Sequence, residues 1–139
     1  MKVLLIDGQG GKLGKQLAES ILERFPQVEL TAVGTNSIAT ATMMKSGVKQ
    51  AATGENSVIV GCRTADIIIG PIGIVIADAM LGEITPNMAL SVGQSTATKI
   101  LLPINRCSNL VAGVGNLSVN DMIADALKKM QSIMDGKCM

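Results

Sequence analysis

The chain has 139 residues, a formal net charge of +1, 47% hydrophobic residues, a single aromatic residue and no histidine. Without a basic run or aromatic stacking platforms, the composition argues against nucleic-acid binding. The absence of histidine removes the commonest metal ligand, and we predict no metal site.

The first half of the chain alternates between short apolar runs and segments with apolar residues at helical spacing. Residues 3–6 form a uniformly apolar run after one lysine, which is typical of a strand covered on both faces. Residues 55–64 are ambiguous, and we favour a helix because a crossover is needed before the next strand. In chain order, the pattern predicts strand 3–6, helix 12–25, strand 28–33, helix 37–45, strand 48–52 and helix 55–64.

The second half of the chain continues with further strand and helix patterns. Residues 74–81 are so apolar that they predict a buried helix packed against another subunit. Thr85 followed by Pro86, and Ser118 before the final periodic segment, predict helix N-caps. In chain order, the pattern predicts strand 66–69, helix 74–81, helix 86–96, strand 99–104, strand 109–112 and helix 119–134.

Strand–helix alternation throughout predicts an α/β fold, a three-layer doubly wound parallel sheet of five to six strands that is Rossmann-like. We expect residues 1–135 to form one domain and residues 136–139 a flexible tail. The longest apolar stretch is interrupted by glycine, proline and aspartate, so no membrane span is expected. Three widely spaced cysteines suit a reducing cytoplasm, and the apolar 74–81 segment predicts a homo-oligomer, most simply a dimer.

A glycine-rich loop follows the first predicted strand and precedes the first predicted helix. Glycines let a chain turn sharply and let phosphate approach the backbone, while the helix start favours negative charge. The spacing Gly-x-x-Gly-x-x-Gly, with one extra glycine, therefore predicts binding of a nucleotide or another phosphate-bearing small molecule. The predicted binding residues of this loop are Gly8, Gln9, Gly10, Gly11, Lys12, Leu13 and Gly14.

The residues beside this loop leave the kind of nucleotide open. Thr35 and Asn36 end the second strand, where a ribose-binding acid is expected; they are candidates for a 2′-phosphate, for another ribose, or for capping the next helix. Asp7 is a candidate to brace the loop, to hold a cation or to meet a ribose. NAD or NADP is the favoured cofactor, although the chain has neither tyrosine nor histidine for the familiar hydride-transfer apparatus.

A second set of loops should converge on the same sheet edge. Gly70 and Pro71 form a turn that could flank a base, and Asn105 follows a later strand as a further binding candidate. Arg106 could clamp a phosphate or a carboxylate, and Cys107 beside it could be a nucleophile, with a surface salt bridge and an inert thiol as the alternatives. The catalytic candidates are Arg106, Cys107 and Asp78.

Taken together, several motifs make the whole chain resemble a family of small bacterial proteins that carries a domain-of-unknown-function label. These motifs are the glycine loop, Gly70-Pro71-Ile72-Gly73, Gly82-Glu83-Ile84-Thr85-Pro86, Gly93-Gln94-Ser95 and Pro103-Ile104-Asn105-Arg106-Cys107. The resemblance implies a Rossmann-like fold and no particular activity. Residues 1–36 alone are similar to NAD(P)-dependent reductases, including short-chain dehydrogenases and epimerases.

Three functions follow from these patterns. The first is a cytoplasmic nucleotide-binding module, NAD(P) favoured, with a binding or regulatory role. The second is a small enzyme that acts on a phosphorylated or carboxylated substrate at a subunit interface, using Lys12, Asp78, Arg106 or Cys107. The third is a non-catalytic assembly protein.

Overall fold

Strands and helices alternate along the part of the chain that the computed structural model describes, which is residues 1–104 and 108–136. The apolar runs predicted as central strands are strands, and the segments with helical spacing before residue 65 are helices. The strands are β1 (Lys2–Asp7), β2 (Glu29–Gly34), β3 (Gln50–Thr53), β4 (Ile67–Pro71) and β5 (Thr98–Leu102). The helices are α1 (Lys12–Arg24), α2 (Ser37–Met44), α3 (Glu55–Thr64), α4 (Pro86–Gln94) and α5 (Val119–Met134), with a short 3-10 helix at Ile72–Val75.

The five strands form one parallel sheet in the order β3-β2-β1-β4-β5. In register, Asp7 lies opposite Gly34 of β2, and Leu5 lies opposite Ile69 of β4. The chain adds strands outward on one side of β1 and then returns to add them on the other side. The order therefore reverses between β1 and β4, which makes the carboxyl ends of these two strands the switch point where α/β sheets place ligands.

Helices cover both faces of the sheet, as a doubly wound fold requires. Successive residues of β1 alternate between two buried clusters: Val3 and Leu5 pack with residues of α1, α2 and α5, whereas Leu4 and Ile6 pack with residues of α3 and α4. This burial on both sides explains why β1 and β4 are apolar at nearly every position. The predicted three-layer α/β fold is thus confirmed, with five strands in the described residues.

The predicted helix at residues 74–81 is wrong. Only the 3-10 helix Ile72–Val75 forms there, and the following turns place Asp78, Met80 and Leu81 at φ values of 67°, 57° and 56°. The left-handed region is incompatible with an α-helix. The apolar character of the segment is used instead to bury individual side chains such as Ile74.

The predicted strand at residues 109–112 is also absent. These residues lie in irregular structure and turns, and Leu110 is 94% exposed. Branched apolar residues favour a strand only where a neighbouring strand and a packed face are available. The segment lacks both, so its composition alone was misleading.

Candidate functional site

The glycine loop joins β1 to α1 at the switch point. Gly11 adopts φ 76°, and a Cβ atom there would come within 2.6 Å of the Ala39 carbonyl oxygen. At Gly14 a Cβ atom would lie 2.8 Å from the Cβ of Asp7. The N–H of Gly11 donates to the carbonyl of Gly8 at 2.9 Å, which closes the turn before α1 begins at Lys12. Two of the loop glycines are therefore required by close packing.

The buried side chain of Asp7 braces this loop from below. One carboxylate oxygen accepts from the N–H of Gly8 at 2.8 Å, and the other accepts from the N–H of Gly14 at 2.7 Å. Burial raises the pKa of Asp7 above its ordinary value of 3.8, the two backbone N–H groups oppose that shift, and the nearby Glu83 charge adds to it. Asp7 is thus a loop-bracing residue, which was one of the roles left open by the sequence.

Three further N–H groups remain available, one in the glycine loop and two in the first turn of α1. Within the described part of the chain, the N–H groups of Gly10, Lys12 and Leu13 donate to neither a carbonyl nor a side chain. The first N–H groups of a helix lack intrahelical partners, and the helix dipole places partial positive charge around them. Gly10 and Lys12 are exposed to solvent. This geometry can accept an anionic group.

The end of β2 carries a carboxylate that comes from a distant part of the chain. Oε1 of Glu83 accepts from the N–H of Gln9 at 2.8 Å, from Oγ1 of Thr35 at 2.7 Å and from Nδ2 of Asn36 at 2.7 Å. Burial acts to raise the pKa of Glu83, but these three hydrogen bonds outweigh it and hold the pKa below the ordinary 4.5. Asn36 also caps α2, because its Oδ1 accepts from the N–H of Ala39.

The segment that carries Glu83, residues 76–85, is called the covering segment here because it lies against the glycine loop. A Cβ atom on Gly8 would lie 2.5 Å from Oγ1 of Thr35, 2.7 Å from Sδ of Met80 and 3.0 Å from Oε1 of Glu83. Gly8 is therefore the residue that lets the covering segment approach. The segment is held by the Asp78 N–H bond to the Ile84 carbonyl at 2.7 Å.

The structure brings most of the predicted binding residues together. Residues 8–14 form the loop, Thr35 and Asn36 lie beside it, and Gly70 packs so closely on β1 that a Cβ atom would collide with the Ile6 carbonyl. Pro71 ends β4 at the same sheet edge and is buried. The predicted candidates Asn105, Arg106 and Cys107 lie outside the described residues.

Two sequence-level interpretations change once the contacts are known. Asp78 is exposed in the covering segment rather than on a helix, and its backbone N–H and carbonyl form hydrogen bonds with Ile84 and Gly82. The side-chain donors of Thr35 and Asn36 are committed to Glu83 and to the Gln9 carbonyl, so they are not free for a 2′-phosphate. Glu83 is the residue that sequence reasoning missed. Its signal was an acid in the loop that follows β4, next to the switch point.

Among the described residues, no group of three or more His, Cys, Asp or Glu side chains is arranged to hold a metal ion. No helix within that part of the chain combines the length and apolar character needed to cross a bilayer.

A protein-family model described as Domain of unknown function (DUF3842) matches residues 2–135. The chain belongs to this family. The match spans every strand and helix of the DUF3842 fold described above, including the glycine loop and the covering segment. It confirms the family resemblance inferred from the motifs. No curated protein matches the chain.

Solved structures similar to this DUF3842 member share little sequence with it. A dodecameric FMN-dependent UbiX-like decarboxylase from Escherichia coli O157:H7 is 16% identical, with a TM-score of 0.47 over 97% of this chain and 95% of that one. The plantazolicin methyltransferase BamL, solved with a desmethylPZN analogue and SAH, is 11% identical, with a TM-score of 0.42 over 99% of this chain and 71% of that one.

Proposed function

We propose that this DUF3842 protein is a nucleotide-binding module that holds a phosphate group on its glycine loop. The observation that carries the proposal is the set of uncommitted N–H groups, that of Gly10 in the loop and those of Lys12 and Leu13 in the first turn of α1. They lie where a doubly wound sheet places its ligand, and a helix start provides both donors and favourable charge for a phosphate. The exposed Lys12 side chain adds a positive charge beside them.

Two features favour NAD or NADP among the nucleotides. The loop has the glycine spacing of NAD(P)-dependent reductases, and buried Gly70 and Pro71 end the strand across the switch point, where a base or nicotinamide would lie. Because the chain has no tyrosine and no histidine, we propose a binding or regulatory role for the nucleotide.

We also propose a cytoplasmic homo-oligomer, most simply a dimer. Cys62 is buried as a free thiol, and sparse, widely spaced cysteines suit a reducing compartment. Leu81 in the covering segment is 98% exposed, and we propose that a second copy of the chain covers it.

The loop can be tested by placing a negative charge where the phosphate is expected. Gly10 suits this purpose because a Cβ atom there meets nothing within 4 Å and its φ is not left-handed, whereas a side chain at Gly11 would collide with Ala39. We expect Gly10→Asp to weaken nucleotide binding by about tenfold or more through like-charge repulsion. Isothermal titration calorimetry with NAD⁺, NADP⁺, ATP, AMP and FMN measures the effect.

Gly10→Asn is the matched control, because it has the same size and no charge. It should retain binding within a few-fold and fold like the Gly10→Asp variant by circular dichroism. If no nucleotide binds the wild-type protein at millimolar concentration, the proposal is wrong. Equal affinities of the Asp and Asn variants would remove the glycine loop as the phosphate site.

A further inference from the structure

The end of β2 lacks the acid that dinucleotide-binding sheets use to contact a ribose, since Gly34 is followed by Thr35 and Asn36. In the folded chain, the Glu83 carboxylate lies at this position. It is hydrogen-bonded to both of these side chains and to the backbone of Gln9 in the glycine loop. An acid from the covering segment thus stands where β2 would ordinarily supply one.

The three donors fix the carboxylate and leave one of its oxygens open. All three bonds end on Oε1, at 2.7–2.8 Å, and within the described residues Oε2 accepts no hydrogen bond. Glu83 is half-buried, and among the described residues no side-chain oxygen or nitrogen atom without a hydrogen bond is buried, so Oε2 is accessible to solvent. The hydrogen bonds to Oε1 also favour the ionised form. A fixed carboxylate with a free oxygen attracts a hydroxyl and repels a second anion.

We propose that Glu83 is a specificity-determining residue of the nucleotide site, which accepts a hydrogen bond from a ribose hydroxyl and rejects ligands phosphorylated at the 2′ position. This inference rests on the proposed nucleotide binding at the glycine loop. Thr35 and Asn36 act through Glu83, because their donor groups hold its carboxylate rather than the ligand. The site would then accept NAD or an adenine nucleotide with free hydroxyls, and discriminate against NADP.

The wild-type protein tests the proposal through pairs of ligands that differ in one group. Calorimetric titrations with NAD⁺ and NADP⁺ should show about tenfold or greater preference for NAD⁺, because the Glu83 carboxylate would repel the 2′-phosphate of NADP⁺. AMP should likewise bind more tightly than 2′-deoxy-AMP. This comparison needs no variant and holds even if substitutions in the covering segment disturb folding.

Glu83→Gln then identifies the residue responsible. The amide oxygen can replace Oε1 as the acceptor for the three donors, while the amide NH₂ faces the ligand and can donate to a phosphate. We expect NAD⁺ to bind more weakly, NADP⁺ to bind more tightly, and the NAD⁺ to NADP⁺ preference to fall by about fivefold or more. Glu29→Gln, at the exposed start of β2, removes the same charge at the opposite end of the sheet and should preserve the preference.

The outcomes separate this inference from the function on which it rests. If nucleotides bind and Gly10→Asp weakens them, yet Glu83→Gln leaves the NAD⁺ to NADP⁺ ratio unchanged, the role of Glu83 is refuted and the phosphate site stands. If Glu83→Gln tightens both ligands equally, the carboxylate is a blocking anion and not a ribose acceptor. If the wild-type protein binds no nucleotide, both proposals fail together.

Discussion

At the scale of single residues, two carboxylates beside the glycine loop have opposite electrostatic environments. Asp7 is 5% exposed. Its burial raises the pKa by more than the hydrogen bonds from two backbone N–H groups lower it. Glu83 is more accessible to solvent. The three hydrogen bonds that its Oε1 accepts lower the pKa by more than its partial burial raises it. The pKa of a carboxyl group depends on this balance between desolvation and hydrogen bonds to its charged form.

We therefore expect the two groups to titrate in opposite directions from their ordinary values. Carboxyl-carbon NMR titration should place the Asp7 midpoint above 3.8 and the Glu83 midpoint below 4.5. The contribution of Asp7 to folding stability decreases as the pH rises from 3.8 through its raised folded pKa, because the folded state holds the proton more tightly. The contribution of Glu83 is fully present above 4.5 and is lost as the pH falls through its lowered folded pKa.

The Glu83→Gln variant provides the control for this prediction. It removes a negative charge that raises the pKa of Asp7, so the Asp7 midpoint should move down. Urea unfolding measures the free energy of unfolding of both proteins. The difference between the wild-type protein and this variant should become smaller from pH 6 to pH 3, with a slope no steeper than the titration of one carboxyl group produces. A Glu83 midpoint above 4.5 would contradict the hydrogen-bond pattern described here.

The sequence predicted one half of this site and not the other. The glycine loop is local, since strand, glycines and helix follow one another within residues 2–24, and its geometry follows from backbone chemistry. Glu83 meets Gln9 across 74 positions in the sequence. No local pattern encodes that contact, because it depends on the path of the covering segment after β4. The sequence therefore shows no acid at the end of β2, although the fold brings Glu83 against Thr35 and Asn36 there.

At the scale of elements, prediction succeeded where a periodic pattern agreed with a capping residue. Oγ1 of Thr85 accepts from the N–H of Met88 at 3.1 Å, and Oγ of Ser118 accepts from the N–H of Asp121 at 3.0 Å, as the predicted N-caps require. Residues 74–81 failed because hydrophobicity was their only signal. Apolar residues at non-helical positions can be buried by turns as effectively as by a helix.

The glycines of two helices lead to opposite predictions for substitution by alanine. Gly93 in α4 is exposed, and a Cβ atom there meets nothing within 4 Å. We expect Gly93→Ala to stabilise the fold by about 0.5–1 kcal/mol through helix propensity. At Gly14 in α1, a Cβ atom would lie 2.5 Å from Sδ of Met43 and 2.8 Å from Cβ of Asp7. Gly14→Ala should destabilise the fold by about 1–3 kcal/mol through overpacking.

Urea denaturation of both variants measures these changes in the free energy of unfolding. The substitution is chemically the same in each case, so a difference in sign isolates the space around the Cβ atom. If Gly14→Ala were as stable as the wild-type protein, α1 could move away from Asp7 without cost. The bracing of the glycine loop would then be weaker than its two hydrogen bonds indicate.

At the scale of the whole molecule, the fold class was predictable because alternating strands and helices allow few arrangements. Right-handed crossovers and burial on both faces lead to a parallel three-layer sheet. The strand order β3-β2-β1-β4-β5 brings the loops of the candidate site together, because it places the ends of β1 and β4 side by side. The sequence indicated that these loops converge, but the path of the covering segment over them depends on tertiary packing.

The same segment carries the prediction about assembly. Leu81 is 98% exposed and adopts φ 56°, a left-handed conformation that leucine adopts only with strain. An exposed side chain with a strained backbone contributes little to the stability of its own chain. We therefore expect the Leu81 side chain to contact a second copy of the protein. Sedimentation velocity at micromolar concentration should therefore give a mass above the 14.4 kDa of one chain.

Leu81→Asn tests whether this side chain mediates the association. Asparagine tolerates the left-handed region better than leucine does, so the variant should keep the fold and unfold at the same or a higher urea concentration. Its loss of apolar surface should shift the sedimentation profile toward the monomer. Leu110→Asn, which changes another side chain that is 94% exposed, is the matched control and should leave the association intact. A monomeric wild-type protein, or an effect of Leu110→Asn alone, would show that the covering segment is not an assembly surface and that the exposure of Leu81 has another cause.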